Sequence, residues 1–326
     1  MKRAVLLLNL GGPETLSEVK PFLYNFFSDP DIITGVPSFL RKLFAFTISR
    51  LKHRSSERMY SKIGGGSPQR KWTEAQARLL REAFHSNDNQ IDVDYGMRVW
   101  TPTIRDALES LREKGAEELI LFPLFPQFST TTTGSCFNEV DRSLIRMNWQ
   151  PEIKRISSWP DHPAYIAFLK KTVLEKVNEL QQKKQLDSLH VLISAHSLPV
   201  RIIEKGDPYL QEVQKTVHAL TQALKNEFSC QISLVFQSKT GPVKWLEPDL
   251  HQELGHLISS GIKNLIIVPI SFVCDHIETL YELDILYADY AAKQGLSGYC
   301  RTRMFNDDPE FIQMIRSIVS ERYRFQ

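Results

Sequence analysis

Short apolar runs alternate along this chain with longer stretches in which apolar residues recur every three or four positions. The runs at residues 4–10, 91–99, 119–125, 190–194, 231–237 and 265–270 predict strands, and intervening stretches such as 103–114 and 208–228 predict helices. Near-continuous apolar strands separated by amphipathic helices fit a parallel sheet with both faces covered. In such a sheet a ligand sits beyond the carboxyl ends of the strands. Chemistry is therefore sought at residues 11–14, 98–102, 126–135, 195–199, 238–245 and 271–282.

Two of these units match in spacing. Pro102, Gly115 and Pro123 recur as Pro248, Gly261 and Pro269, each pair 146 apart. At the same offset Leu108, Leu111, Leu119 and Ile120 fall on Leu254, Leu257, Leu265 and Ile266. The opening strands align too, Val5, Leu6, Leu7 and Pro13 corresponding to Val191, Leu192, Ile193 and Pro199. Leucine matches are common, whereas glycine and proline at fixed intervals each answer a backbone need, a helix stop or a strand end. The pattern predicts an α/β protein of two similar lobes, residues 1–160 and 161–326, joined near residues 159–165, with the last helix packing back on the first lobe.

Composition narrows the classes. Of 326 residues, 40 are Lys or Arg and 38 Asp or Glu, a formal net charge of +2 that carries no general footprint for nucleic acid. An apolar fraction of 42% with 24% charged residues excludes global disorder. The four cysteines, Cys136, Cys230, Cys274 and Cys300, form no C-x-x-C, which argues against a zinc ribbon or a redox pair. The opening Met1-Lys2-Arg3 and its apolar run resemble a secretory signal, but the run is short and enters Gly11-Gly12-Pro13 without a small-residue cleavage site. A buried first strand and a cytoplasmic location are expected.

Several chemistries drop out. Gly11-Gly12-Pro13 lacks the third glycine of a dinucleotide fingerprint, Gly64-Gly65-Gly66-Ser67-Pro68 lacks the Lys-Ser or Lys-Thr of a P-loop, and no H-E-x-x-H occurs. Two segments remain. His196, just past a predicted strand, is suited to proton transfer near neutrality, although a turn histidine bonded to local backbone would look the same. Asp275, Glu278 and Glu282, if helical, lie within about 60° of one another, and Asp289 extends that face. Such a carboxylate stripe needs protons or a cation to relieve its repulsion, and with histidine it suits a first-row metal such as Fe(II); a solvated face is the other reading. A third feature is the acid-free stretch 32–56, where Arg41, Lys42, Arg50, Lys52 and Arg54 interleave with Phe39, Leu40, Leu43, Phe44, Ile48 and Leu51. It reads as an element for anionic lipid or an acidic ligand, or as an ordinary packed helix.

These residues bring a family into view. L-N-L-G-G-P-E at residues 8–14, Y-S-K-I then G-G-G-S-P at 60–68, S-A-H-S-L-P at 194–199, G-D-P-Y at 206–209, Q-S-K-T-G-P at 237–242 with Trp245, and D-H-I-E-T-L-Y-E-L-D at 275–284 resemble the ferrochelatases, which insert Fe(II) into a porphyrin to make heme. The resemblance implies a chelatase-like fold of two flavodoxin-like, Rossmann-like lobes. It implies that His196 accepts pyrrole protons or ligates metal, with Glu278, a second catalytic and metal-binding candidate, opposite it across the macrocycle. Asp275, His276 and Glu282 would form a polar relay, and Leu10, Tyr60, Ser67, Arg98 and Trp245 would line the porphyrin pocket. Residues 39–51 match an apolar lip that in relatives touches membrane.

Some relatives hold a [2Fe–2S] cluster through cysteines in a C-terminal extension. With no cysteine beyond Cys300, none is expected here, and no permanently bound cofactor; Fe(II) is substrate. Leu286 stands where some relatives place another acid. Protoporphyrin IX is the expected porphyrin. Coproporphyrin III, a cobalt chelatase activity on a more reduced macrocycle, and a non-catalytic heme- or porphyrin-binding module are the alternatives.

Overall fold

A computed structural model of the chain describes residues 2–33, 36–85, 91–182, 188–228 and 230–323. Thr34 and Gly35, within the acid-free stretch, lie outside the described residues. Contacts divide the chain into two units. The first comprises Met1–Ser158, Cys274–His276 and Phe305–Gln326, the second Trp159–Val273 and Ile277–Met304.

The first unit carries strands β1 (Arg3–Asn9), β2 (Asp92–Met97), β3 (Glu118–Pro123) and β4 (Glu152–Arg155), all parallel in the order β2-β1-β3-β4. Its helices are α1 (Val19–Ser28), α2 (Ser38–Ser61), α3 (Gln69–His85), α4 (Ile104–Glu113) and α5 (Ser135–Met147). In the second unit are α6 (Pro163–Gln182), α7 (Val200–Glu204), α8 (Tyr209–Leu224), α9 (Leu250–Ser259) and α10 (Ala288–Lys293). Its strands β5 (Leu189–His196), β6 (Gln231–Gln237), β7 (Asn264–Pro269) and β8 (Gly298–Arg301) form a parallel sheet in the order β6-β5-β7-β8. The final helix α11 (Pro309–Tyr323) packs on α3 in the first unit.

The two sheets have the same topology, and their connections repeat bond for bond. Met97 N donates to Pro102 O at 2.8 Å, as Phe236 N does to Pro248 O at 2.8 Å. Leu124 N closes on Leu8 O at 2.9 Å, as Ile270 N does on Ser194 O at 2.9 Å. Thr103 caps α4 by accepting from Asp106 N, and Asp249 caps α9 by accepting from Gln252 N. Gly115 and Gly261 end those helices at φ 80° and 90°, a left-handed geometry that glycine adopts without a Cβ penalty. A π-helix follows β3 at Thr130–Gly134 and another follows β7 at Glu278–Tyr287. The interval of 146 is thus a duplicated backbone plan.

Each unit has its own core. Leu6, Leu8, Leu108, Leu119, Leu121 and Val140 close one; Leu192, Val235, Leu254, Leu265, Ile267 and Leu283 close the other. Helix α2 is built differently. Its buried residues are Ala45, Ser49, Ser56 and Tyr60, while Phe39, Leu40, Leu43, Phe46 and Leu51 are exposed. At 100° per residue Phe39, Leu43 and Phe46 share a stripe about 60° wide, roughly a quarter-turn from the buried small residues. Large apolar side chains thus face outward and small ones pack, the reverse of an ordinary surface helix. Phe44 is on neither face; its ring meets Phe27 edge-on, with centroids 6.2 Å apart.

Candidate active site

β5 is an inner strand of its sheet, buried through Ala195, and His196 is its last residue, half-buried at the carboxyl end. The imidazole Nδ1–H donates to Glu278 Oε2 at 2.8 Å. Glu278 opens the π-helix after β7. Ser238, immediately after β6, places its Oγ 2.8 Å from Glu278 Oε2 and 2.5 Å from Glu282 Oε2. Ser238 adopts φ 67°, a left-handed conformation uncommon outside glycine, and such strain gathers at functional sites. Gln237 ties the group to the sheet: its Nε2 donates to Glu278 O at 3.3 Å and its Oε1 accepts from Ser194 Oγ at 2.6 Å. Three strand ends therefore converge on two carboxyls, one hydroxyl and one imidazole.

The charges decide what this group can do. One Ser238 proton cannot satisfy two carboxylates, so a neutral Glu282 that donates to Ser238 Oγ, while Ser238 donates to Glu278, satisfies every contact. Burial, then repulsion from Glu278, pushes the Glu282 carboxyl up to about 7, where that neutral form is populated. Burial works against the His196 imidazolium, but the Glu278 carboxylate outweighs it, assisted by Glu282, and the net direction is upward. Imidazole, carboxylate, hydroxyl and carboxylic acid stand in one unbroken line, a path along which a proton can pass.

Four candidates fall in the second unit and six in the first. The expectation of Glu278 across a macrocycle from His196 is corrected: a direct 2.8 Å bond leaves no room for a ring between them. The predicted α-helical stripe is also corrected. The helix begins at Glu278 and winds with i→i+5 bonding, so Asp275 lies upstream of it, and Asp289 is exposed on α10. Asp275 belongs to the first unit, where its N donates to Asn306 Oδ1 and its Oδ2 accepts from Asn306 Nδ2, both at 2.8 Å. His276, in the same unit, is buried.

In the second unit Trp245 is half-buried, bridged to Pro199 through Leu246 N donating to Leu198 O at 3.0 Å. In the first, Leu10 follows β1 and Tyr60 is buried near the end of α2. Ser67 is buried where its N donates to Pro13 O at 2.6 Å. The glycine run earns its composition there, because a Cβ on Gly66 would sit 2.0 Å from Glu14 O. Arg98 is engaged as a structural cation: its guanidinium lies 2.5 Å from Asp29, 3.3 Å from Asp31 and 3.8 Å from Glu139, and its Nε donates to Ser135 Oγ at 2.7 Å. Gln237 and Ser238 open the Q-S-K-T-G-P motif, but the sequence assigns them no role, for a serine in a strand-end loop gives no periodic signal. No group of three or more His, Cys, Asp or Glu among the described residues is placed to hold a metal ion, and no helix among them is long and apolar enough to cross a membrane.

Two four-stranded parallel sheets of one topology, each flanked by helices, make a chelatase-like fold. The solved SirB from Bacillus subtilis with Fe3+ shares this fold, with a TM-score of 0.54 at 12% identity over 100% of this chain and 99% of that one. The Ferrochelatase family model matches residues 2–323. The ferrochelatase of Aquifex aeolicus (strain VF5) is 41% identical over 320 residues, covering 98% of this chain and 99% of that relative. That of Geotalea uraniireducens (strain Rf4) is 41% identical over 318 residues, covering 98% and 97%. The chain belongs to the ferrochelatase family; it is a metal chelatase, a lyase of heme biosynthesis.

Proposed function

We propose that this enzyme inserts Fe(II) into protoporphyrin IX, giving heme b and two protons, and that His196 is the base that receives the pyrrole protons. The observation that carries this reading is the continuous line from His196 through Glu278 and Ser238 to Glu282. A pyrrole N–H is a weak acid, so its proton leaves only toward a base whose protonated form is stabilised. With Nδ1–H bound to Glu278, Nε2 is the free lone pair, and a proton arriving there makes an imidazolium beside a carboxylate. Once Glu282 has released its own carboxyl proton to solvent, the Nδ1 proton can move to Glu278 and on through Ser238 to Glu282. The imidazole is then left as its Nε2–H tautomer and takes the second proton only after that Nε2 proton has been lost and Nδ1 reprotonated. We assign His196 and Glu278 to proton transfer; their mutual bond engages Nδ1 and Oε2 and leaves His196 Nε2 to meet a pyrrole proton or the metal.

Porphyrin contacts by Leu10, Tyr60, Ser67 and Trp245 remain part of this proposal; Arg98 is committed to its ion cluster with Asp29, Asp31 and Glu139. Protoporphyrin is preferred over coproporphyrin III on the L-N-L-G-G-P and H-I-E-T-L-Y-E motifs. We place the enzyme in the cytoplasm, in peripheral contact with membrane through residues 39–51, supported by the outward Phe39, Leu43 and Leu51 beside Arg50 and Lys42. No resident iron–sulfur cluster belongs to this reading: Cys136 and Cys274 are buried, and burial pushes the Cys136 thiol up to about 12.

The test is anaerobic mixing of the protein with Fe(II) and each porphyrin, following loss of the free-base absorption. Protoporphyrin should be metallated faster than coproporphyrin III. The reverse order would reassign the substrate, and no rate above the protein-free control with either would end the proposal.

A further inference from the structure

His196 stands one residue beyond the point where its sheet stops supporting it. Ser197 N donates to Gln237 O at 2.8 Å, so residue 197 faces β6 and, by strand alternation, the N–H and C=O of His196 face β7. The β5–β7 ladder ends at the pair Ser194 and Pro269, with Ile270 N donating to Ser194 O. The next rung would use the Ile270 carbonyl, but that oxygen accepts from Tyr165 OH at 2.7 Å.

Two hydroxyls take the missing strand's place. His196 N donates to Ser271 Oγ at 3.0 Å, and His196 O accepts from Tyr209 OH at 2.9 Å. The third side, Tyr209 OH to Ser271 Oγ, is 2.7 Å. The proton positions follow without choice. A peptide N–H only donates and a carbonyl only accepts, so the single Tyr209 proton is committed to His196 O, and Ser271 must donate to Tyr209 Oη. The result is a closed ring of three hydrogen bonds running one way around, in which each bond polarises the next.

The local sequence aims the phenol. Gly206, at φ 94°, follows α7; Asp207 Oδ1 accepts from Tyr209 N at 3.0 Å and starts α8. Tyr209, the first residue of α8, is buried. The G-D-P-Y motif, which the proton path leaves unexplained, thereby acquires a purpose.

We infer that Tyr209 and Ser271 are positioning residues for His196, replacing the absent rung of β7 so that the imidazole is held at its distance from Glu278. This inference rests on the proton-acceptor role proposed for His196. Neither residue touches the reacting atoms in this account; they act through the backbone of the residue that does.

The experiment pairs turnover with a ligand-free readout, the exchange-protected Nδ1–H resonance of His196 in NMR spectra. Tyr209→Phe and Ser271→Ala should each lower kcat by about tenfold or more, as expected for a misplaced catalytic group, with KM for porphyrin changed by less than about twofold. The resonance should be lost to solvent exchange in both. Because the ring opens on loss of either hydroxyl, the double variant should be no worse than the worse single one, and Ser271→Thr should restore activity and resonance. Full retention of the resonance in Tyr209→Phe, or losses that multiply in the double variant, would overturn the ring. A lost resonance with unchanged kcat would uphold the ring and overturn the role of His196. Should Tyr209→Phe fail to fold, the Ser271→Ala and Ser271→Thr pair decides the matter, since it removes and restores a hydroxyl without touching the phenol.

Discussion

Replacing Phe39 and Leu43 together by serine isolates the membrane contact of α2. These side chains are 81% and 63% exposed, on a stripe that the described residues of their unit leave uncovered. Fully burying a Phe or Leu side chain is worth roughly 1.5–3 kcal/mol, so moving these exposed fractions into a bilayer interface contributes about 3 kcal/mol for the pair. That is about a hundredfold in a partition constant. Lys42, Arg50 and Arg54 on the same helix add on the order of 1 kcal/mol each toward an anionic surface, a contribution screened by salt. Flotation with vesicles containing phosphatidylserine should show the wild-type protein bound at low salt and partly released at high salt. The double variant should bind about a hundredfold more weakly, with its Tm and turnover in detergent unchanged. Phe44→Ser is the informative contrast: it removes a packed ring and should lower Tm without this effect on partitioning. Equal flotation of the wild type and the double variant would refute the reasoning.

Other consequences follow from the site and the cores. Glu278→Gln removes the charge that holds the His196 pKa up and leaves the burial that pushes it down, so NMR titration should find the imidazole below its ordinary value instead of above it. In the wild type the raised pKa makes His196 a stabilising group below neutrality, whose contribution fades as pH rises through that raised value; in Glu278→Gln this dependence should disappear or reverse. Burial opposes the charge of Asp31, but hydrogen bonds from Arg142 and Asn138 prevail and hold its carboxyl below the usual range. Its contribution is present above the unfolded-state value and lost as pH falls through the lowered one, so Asp31→Asn should flatten the acid limb of the stability curve. Leu192→Ala empties a fully buried position in the second core and should cost about 2–5 kcal/mol, read as a lower urea midpoint.

What the sequence disclosed depended on how local each cause was. The strands of the duplicated plan were legible because β1, β3, β5 and β7 are apolar on both faces, and the repeat because Gly115 and Gly261 answer the same backbone demand. β4 and β8 were missed: four residues each, partly exposed and carrying Glu152, Lys154 and Arg301, they present no apolar run. His196 could be found from its place at a strand end. The pairing of Glu278 with it could not, because helical wheels assume i→i+4 winding and the helix after β7 is a π-helix. Ser238, Ser271 and Tyr209 come together from three segments far apart in the chain, and no spacing rule links them.

The central claim is that pyrrole protons leave through His196. It is tested most directly by His196→Ala assayed anaerobically with Fe(II) and protoporphyrin IX, alongside porphyrin binding followed by fluorescence quenching. The account predicts that porphyrin still binds within a few-fold of wild type while metallation falls to the protein-free rate. Metallation near the wild-type rate in His196→Ala would contradict it.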